Sequence, residues 1–141
     1  GYDKNIPAKA FGDTWLNYII ENRTILWWGG LGRSTEHTAF LNLKNGIEAP
    51  MSGSMKINGK TLSEQIGAQI FIDAIAMSCP DNPDLAVELV RKAASVSHDG
   101  IAVQAAYHLA ALEAMAFTEK DVNVLLDRAE KYCFRCQRYL Q

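Results

Sequence analysis

Long hydrophobic runs are missing from this chain, and so is any surplus of basic charge. No uninterrupted apolar stretch approaches the ~20 residues that a membrane-spanning helix requires. Lys and Arg number 14 against 16 Asp and Glu, a formal net charge of -2, so no basic field of the kind that holds a nucleic-acid backbone is present. Cysteine is scarce: the three residues are too few, and odd in number, for a disulfide framework. The opening Gly1-Tyr2-Asp3-Lys4-Asn5-Ile6-Pro7 lacks the apolar core of a secretory signal. Together these features read as a cytoplasmic protein. Gly1 in place of Met reads as a processed, tagged or excised terminus. Internal repeats, low-complexity tracts and linkers are also lacking.

What is present is ordinary globular composition. The 141 residues, 48% hydrophobic and 21% charged, exclude global disorder and fit one domain able to bury about two thirds of its unfolded surface.

The apolar pattern is helical almost throughout. Phe11, Trp15, Tyr18 and Ile19 recur at helix spacing between Ala8 and Ile20 and form one stripe. The run Ile25-Leu26-Trp27-Trp28-Gly29-Gly30-Leu31-Gly32 is broken by three glycines and reads as a buried strand-like or irregular segment with tight bends. Ser34 or Thr35 then caps a helix that ends near Lys44-Asn45-Gly46. Residues 49–60, with Pro50, Gly53 and Gly59, read as a loop. Thr61-Leu62-Ser63-Glu64 reads as a capping box, opening a helix that carries Ile66, Ile70, Phe71, Ala74, Ile75 and Met77 to Cys79-Pro80.

Asp81-Asn82-Pro83 restarts a two-faced helix, because Pro suits the first helical position. Ser97-His98-Asp99-Gly100 interrupts the pattern. The stretch from Ile101 to Phe117 is apolar nearly all round, as a central buried helix should be. Thr118 is the expected cap of a last helix in which Val122, Leu125, Leu126, Ala129, Cys133 and Cys136 share a face. The expected fold is all-α, a compact multi-helix orthogonal bundle forming one domain over residues 1–141.

Four clusters of polar or reactive residues invite a chemical reading. Cys133-Phe134-Arg135-Cys136 is a Cys-x-x-Cys, but a structural zinc needs four ligands, and His37, His98 and His108 are scattered. The βαβ setting of a thioredoxin-type redox motif is absent too. Both cysteines continue an apolar stripe, so packing is the expected role. Gly12-Asp13-Thr14 lies inside the first helical stripe, and one carboxylate does not hold a divalent ion without partners. Ser34-Thr35-Glu36-His37-Thr38 follows a glycine-rich bend. Free amides at a helix start there would hold an anion; ordinary capping accounts for the same residues. Ser97-His98-Asp99-Gly100 cannot be a triad, because sequence neighbours do not arrange that way around one imidazole. A His at a break before a buried helix is, however, well placed to face a cleft.

Three segments taken in order resemble a known family. They are Trp28-Gly29-Gly30-Leu31-Gly32-Arg33-Ser34-Thr35-Glu36-His37-Thr38-Ala39, Glu64-Gln65-Ile66-Gly67-Ala68-Gln69, and Ala94-Ser95-Val96-Ser97-His98-Asp99-Gly100 with its alanine-rich helix. They look like the Gly-x-Gly-x-Thr-Thr, Gly-Ala-Met and Ser/Thr-His segments of the ADP-ribosylglycohydrolases, the group of ADP-ribosyl-protein hydrolases and dinitrogenase-reductase-activating enzymes. The resemblance spans roughly residues 10 to 127, and the chain leaves the pattern after Leu126.

The resemblance implies an all-α fold and hydrolysis of the glycosidic bond between ADP-ribose and a protein side chain. It also implies two Mg²⁺ ions that position ribose hydroxyls and a water. In the family the metal ligands come from Thr-Asp-Asp-Thr and Asp-Thr-Asp motifs, and this sequence contains neither. No catalytic and no metal-binding residue is therefore expected in the chain. By the same resemblance Gly67 and Ala68 would lie beside the diphosphate, and Ser97 and His98 near the ribose or adenine end. Glu64-Gln65-Ile66 stands where many members have a glycine-rich turn, and Gln69 where Met is common.

The expectation is the central piece of a larger ADP-ribosylglycohydrolase-like domain, inactive alone, whose partner is ADP-ribose or an ADP-ribosylated protein. A stand-alone helical interaction module, a homo-oligomer or partner binder without catalysis, is the competing reading. A Cys-x-x-Cys metal or redox protein is a third.

Overall fold

The computed structural model describes residues 5–25 and 28–133. Among them the chain is all-α, with no strand beyond an isolated bridge between Glu21 and Ile25. The helices are α1 (Ala8–Tyr18), α2 (Thr35–Lys44), α3 (Met55–Asn58), α4 (Lys60–Ser63), α5 (Asp73–Met77), α6 (Pro83–Ala94), α7 (Gly100–Met115) and α8 (Val122–Ala129). Short 3₁₀ turns occupy Met51–Gly53, Ile66–Gln69 and Glu130–Tyr132.

The core is built on α6 and α7, and small side chains decide its geometry. Ala86, Val90 and Ala94 on α6 pack against Val103, Ala106, Ala110 and Ala114 on α7, with Ala68, Ile72, Ala76 and Cys79 closing the cluster. Alanine faces bring two helix axes close without voids. Ile72 and Val90 have no exposed surface, and each buried side chain of that size contributes about 1.5–3 kcal/mol. A second cluster, Ala111, Met115, Ala129 and Tyr132, docks α8. A third, Leu43, Ala49 and Val96 with Phe11 and Trp15, holds α1 and α2.

Helix starts follow local chemistry. Ser34 Oγ accepts from His37 N–H at 3.2 Å, and Asn82 Oδ1 accepts from Leu85 N–H at 3.2 Å with Pro83 at the first helical position. Gly29, Gly30 and Gly32 all take positive φ, the left-handed conformation that only glycine adopts freely. The expected bends before α2 are thus real, although Leu26 and Trp27 lie outside the described residues.

Four expectations need correction. The stretch from Thr61 to Met77 is not one helix: Lys60–Ser63 is a single turn, and a 3₁₀ turn and the short α5 follow it. Glu64 does not complete a capping box there, because its carboxylate reaches across to α7, and Gly67 in the gap is a poor helix former. Residues 49–60 are also more ordered than a loop, holding a 3₁₀ turn and α3. At the far end the cap of α8 is Asp121, whose Oδ1 accepts from Asn123 N–H at 2.9 Å and from Val124 N–H at 3.4 Å. Thr118 instead donates to Asp81 Oδ1 at 2.8 Å.

The α1 and α8 stripes are narrower than the spacing implies. Tyr18, Val122 and Leu126 are exposed, while Leu125 and Ala129 pack inward. Helix α8 ends at Ala129, so Cys133 does not extend it, and Cys136 lies outside the described residues, as do Phe134 and Arg135.

Candidate functional site

His98 sits at the junction of three short elements, and backbone contacts fix it there. Residues 52–64 form a clamp around the joint between α6 and α7. Ser52 Oγ donates to Val96 O at 2.6 Å, Met55 N–H donates to Asp99 Oδ2 at 3.0 Å, and Asp99 N–H donates to Ser63 O at 3.0 Å. Asp99 Oδ1 and Glu64 Oε1 take the first free amides of α7, those of Gly100 at 2.7 Å and Ile101 at 3.1 Å. Gly53 lies so close to the Ser97–His98 peptide that a Cβ would stand 2.7 Å from His98 N. A side chain at position 53 would collide with that peptide.

The imidazole it holds is fully buried, with no side-chain exposure. Nδ1 is bonded to Ser97 Oγ at 2.7 Å. Nε2 has no hydrogen-bond partner and points toward Glu36 Oε1, 3.7 Å away on the first turn of α2. Burial holds the His98 pKa down to about 4, against an opposing pull from the Glu36 carboxylate. At neutral pH the ring is therefore uncharged, and the Glu36–His98 contact is not an ion pair.

Gly67 forms the third side of this group. A Cβ there would run into the Glu36 carboxylate and would approach His98 Cε1 to 3.0 Å. The 3₁₀ turn thus passes the pair with only its backbone. Ala68, the next residue, turns its methyl into the main core and has no exposed surface; only its backbone is left to face a ligand. Ser97 is equally buried, with its hydroxyl against the His98 ring.

An aromatic wall adjoins the group. Phe71 lies 5.9 Å from the His98 ring and 6.2 Å from Trp15, edge-on. Trp28 packs on Trp15 at 6.3 Å and stacks on His37 at 5.0 Å with the planes 6° apart. Trp15, Trp28, Phe71 and Glu36 line a cleft of about 380 Å³, within the range of small-molecule sites.

The residues expected to work together are partly together. Gly67 and His98 meet, with Ser97 behind the imidazole. The polar run 34–38 divides: Ser34 caps α2, His37 Nδ1 accepts from Gly30 N–H at 3.0 Å, and Thr38 Oγ1 accepts from Gly32 N–H at 2.8 Å. Those side chains secure the glycine bend, and Glu36 alone turns into the site. Asp13 is exposed and paired with Lys9 at 3.0 Å, so Gly12-Asp13-Thr14 is a helix surface; Gly12 itself is buried against Leu43.

Sequence reasoning held Glu36 only within the polar run at the start of α2, and it missed Phe71 beside His98 and Gly53 and Glu64 as supports. Glu36 carried only the signal of an acidic first helical turn, and nothing in its spacing connects it with His98. Among the described residues no three His, Cys, Asp or Glu side chains gather as a metal site. One carboxylate beside one imidazole does not fit Mg²⁺, which takes an octahedral shell of oxygens.

The sequence model of the ADP-ribosylglycohydrolase family matches residues 1–140. This chain belongs to the ADP-ribosylglycohydrolases. The match reaches beyond the three segments that first resembled the family, and it continues past Leu126, where the pattern was expected to end. Membership accounts for an all-α scaffold. No curated protein and no solved structure gives a significant match. No helix is long and apolar enough to cross a membrane among the described residues.

Proposed function

We propose that this chain is the helical centre of an ADP-ribosylglycohydrolase and supplies one wall of the cleft that receives ADP-ribose. The observation that carries this reading is the meeting of Gly67 and His98, which are distant in sequence, beside a cleft lined by Trp15, Trp28 and Phe71. A glycine lets backbone approach a ligand closely, the Glu36 carboxylate on the cleft wall offers one directed polar group, and aromatic rings offer a flat apolar surface. Few polar groups on an apolar wall is the usual composition of a small-molecule site.

The acidic metal motifs of the family are absent from the sequence. The chain alone therefore binds without hydrolysing, and the remainder of the domain brings Mg²⁺ and the attacking water. The partner is ADP-ribose or an ADP-ribosylated protein, met in the cytoplasm. The test is a titration of ADP-ribose into the isolated chain, followed through the ring resonances of His98, with an assay for Mg²⁺-dependent release of ADP-ribose. Saturable shifts at His98 without release are expected. Release clearly above a metal-free control overturns the view of the chain as inactive alone, and an unmoved His98 overturns the binding reading.

A second reading, a helical module that associates with itself or a partner, draws on Ile66, Ile70, Met77 and Phe117. These are 64%, 66%, 53% and 49% exposed, apolar surface that an association would cover. Sedimentation separates the two: a monomer at all concentrations argues for the binding wall only.

A further inference from the structure

Trp15 reaches the aromatic cleft from helix α1, but Trp28 reaches it from a tight backbone turn. Gly30 N–H donates to Trp28 O at 3.0 Å across Gly29, whose φ is +78. A three-residue turn at positive φ is the rare, strained form, so support from outside the turn matters. His37 supplies it. Its Nδ1 accepts the same Gly30 N–H at 3.0 Å, and its ring lies flat on the Trp28 indole, 5.0 Å between centres with the planes 6° apart. One side chain therefore fixes both the turn and the plane of the indole.

The proton on this imidazole has one workable position. Nδ1 must be bare to accept from Gly30, so the hydrogen sits on Nε2 and is donated to Glu21 Oε1 at 3.3 Å. Lys44 Nζ at 2.8 Å, then the His37 ring, hold the Glu21 carboxyl below the usual carboxylate range, which keeps it an acceptor. Contacts thus run from Lys44 on α2 through Glu21 and His37 to the turn. The other polar ties of the bend secure its far side: Gly32 N–H donates to Thr38 Oγ1 at 2.8 Å, and the amides of Arg33 and Ser34 donate to Gly30 O at 3.2 and 3.1 Å. The near side, which carries Trp28, is left to His37.

We propose that His37 is a positioning residue, a latch on the Trp28 turn that holds the indole as a fixed face of the cleft. His37 is not on the cleft wall and acts through Trp28 alone. A wall held in place before the ligand arrives spares the cost of ordering it on binding. The effect on binding rests on reading the cleft as an ADP-ribose site; the latch itself does not.

The experiment compares the intact chain with His37→Ala, His37→Phe, which keeps a ring for Trp28 but has no acceptor, and His37→Asn, whose Oδ1 can take the Gly30 N–H. The Trp28 indole N–H and the His37 ring-nitrogen resonances are recorded, and ADP-ribose is titrated into each protein. The intact chain is expected to show the Nε2–H tautomer and one sharp Trp28 signal. His37→Phe and His37→Ala are expected to shift or split that signal and to bind ADP-ribose about fivefold more weakly, the worth of one hydrogen bond. His37→Asn is expected to recover most of both losses. A ring proton on Nδ1, or no recovery in His37→Asn, overturns the latch. If ADP-ribose binds all four proteins alike, the latch is also overturned while the ADP-ribose reading stands. If the Trp28 signal follows the variants as expected but ADP-ribose binds none of the four, the latch stands and the ADP-ribose reading fails.

Discussion

The Glu64 carboxylate accepts the backbone N–H of Ile101 at 3.1 Å, so the first turn of the buried helix α7 is closed by a side chain from 37 residues earlier. That contact ties the segment carrying Gly67 to the joint carrying His98. Gly100, at φ +59, leaves the space in which the carboxylate lies. Glu64→Ala should cost about 0.5–2 kcal/mol, as loss of an N-terminal cap does, and should broaden the His98 resonances as the joint loosens. Urea unfolding with a chemical-shift comparison checks both. Unchanged stability would mean that Asp99 alone caps α7.

Two glycines should respond to alanine in opposite ways. At Gly53 the added carbon meets the Ser97–His98 backbone, which cannot yield, so Gly53→Ala should lose at least about 2 kcal/mol, at the upper end of overpacking costs. At Gly67 it meets the end of the Glu36 side chain, which can rotate away. Gly67→Ala should therefore keep stability within about 1 kcal/mol yet weaken ADP-ribose binding severalfold. Equal losses of stability in the two variants would contradict this account of the site.

The His98 pKa is lowered from 6.5 to about 4. Between those values the unfolded chain binds the proton and the folded chain does not, so stability falls as the pH drops from about 6.5 to about 4. The effect amounts to at most about 3 kcal/mol. His98→Gln should flatten that limb of a stability–pH curve. A curve of unchanged slope would show that the imidazole is not held neutral by burial.

Glu113 has the reverse sign. Burial, then the charge and hydrogen-bonding contact of Asp73, push its pKa up to about 7 from 4.5, on the wall of a cavity shared with Met77 and Phe117. The folded state holds the proton that the unfolded state releases, so stability is lost as the pH rises from about 4.5 through about 7. Glu113→Gln should remove this loss and stabilise the chain at pH 8 by about 1 kcal/mol, after a discount for the solvent at the cavity mouth. Thermal melts at pH 5 and pH 8 measure it.

Helices with strong local signals were legible from residues alone. Asn82-Pro83 fixed the start of α6, the alanine-rich stretch fixed α7, and Ser34 with Gly46 bracketed α2. Each rests on chemistry within a few residues: a cap, a restrained φ, or a periodicity. The region from Thr61 to Met77 was misread because its apolar spacing is helical, whereas the contacts that break it come from elsewhere. Glu64 is drawn to α7 and Ala68 into the core. Thr118 failed as a cap for a like reason, since Asp81 takes its hydroxyl.

The site divides along the same line. Sequence by itself singled out His98, at a break before a buried helix, and by resemblance Gly67, Ala68 and Ser97. It also determined the all-α class and the absence of the acidic motifs. Only the tertiary structure decided that Glu36 faces His98, that Phe71 and Trp15 form a wall, and that Gly53 and Glu64 hold the joint. Such pairings join residues whose separation in the chain carries no period and no motif. They exist because the clamp of residues 52–64 folds over the α6–α7 joint and buries His98 there, while Glu36 on α2 reaches from the cleft wall toward it.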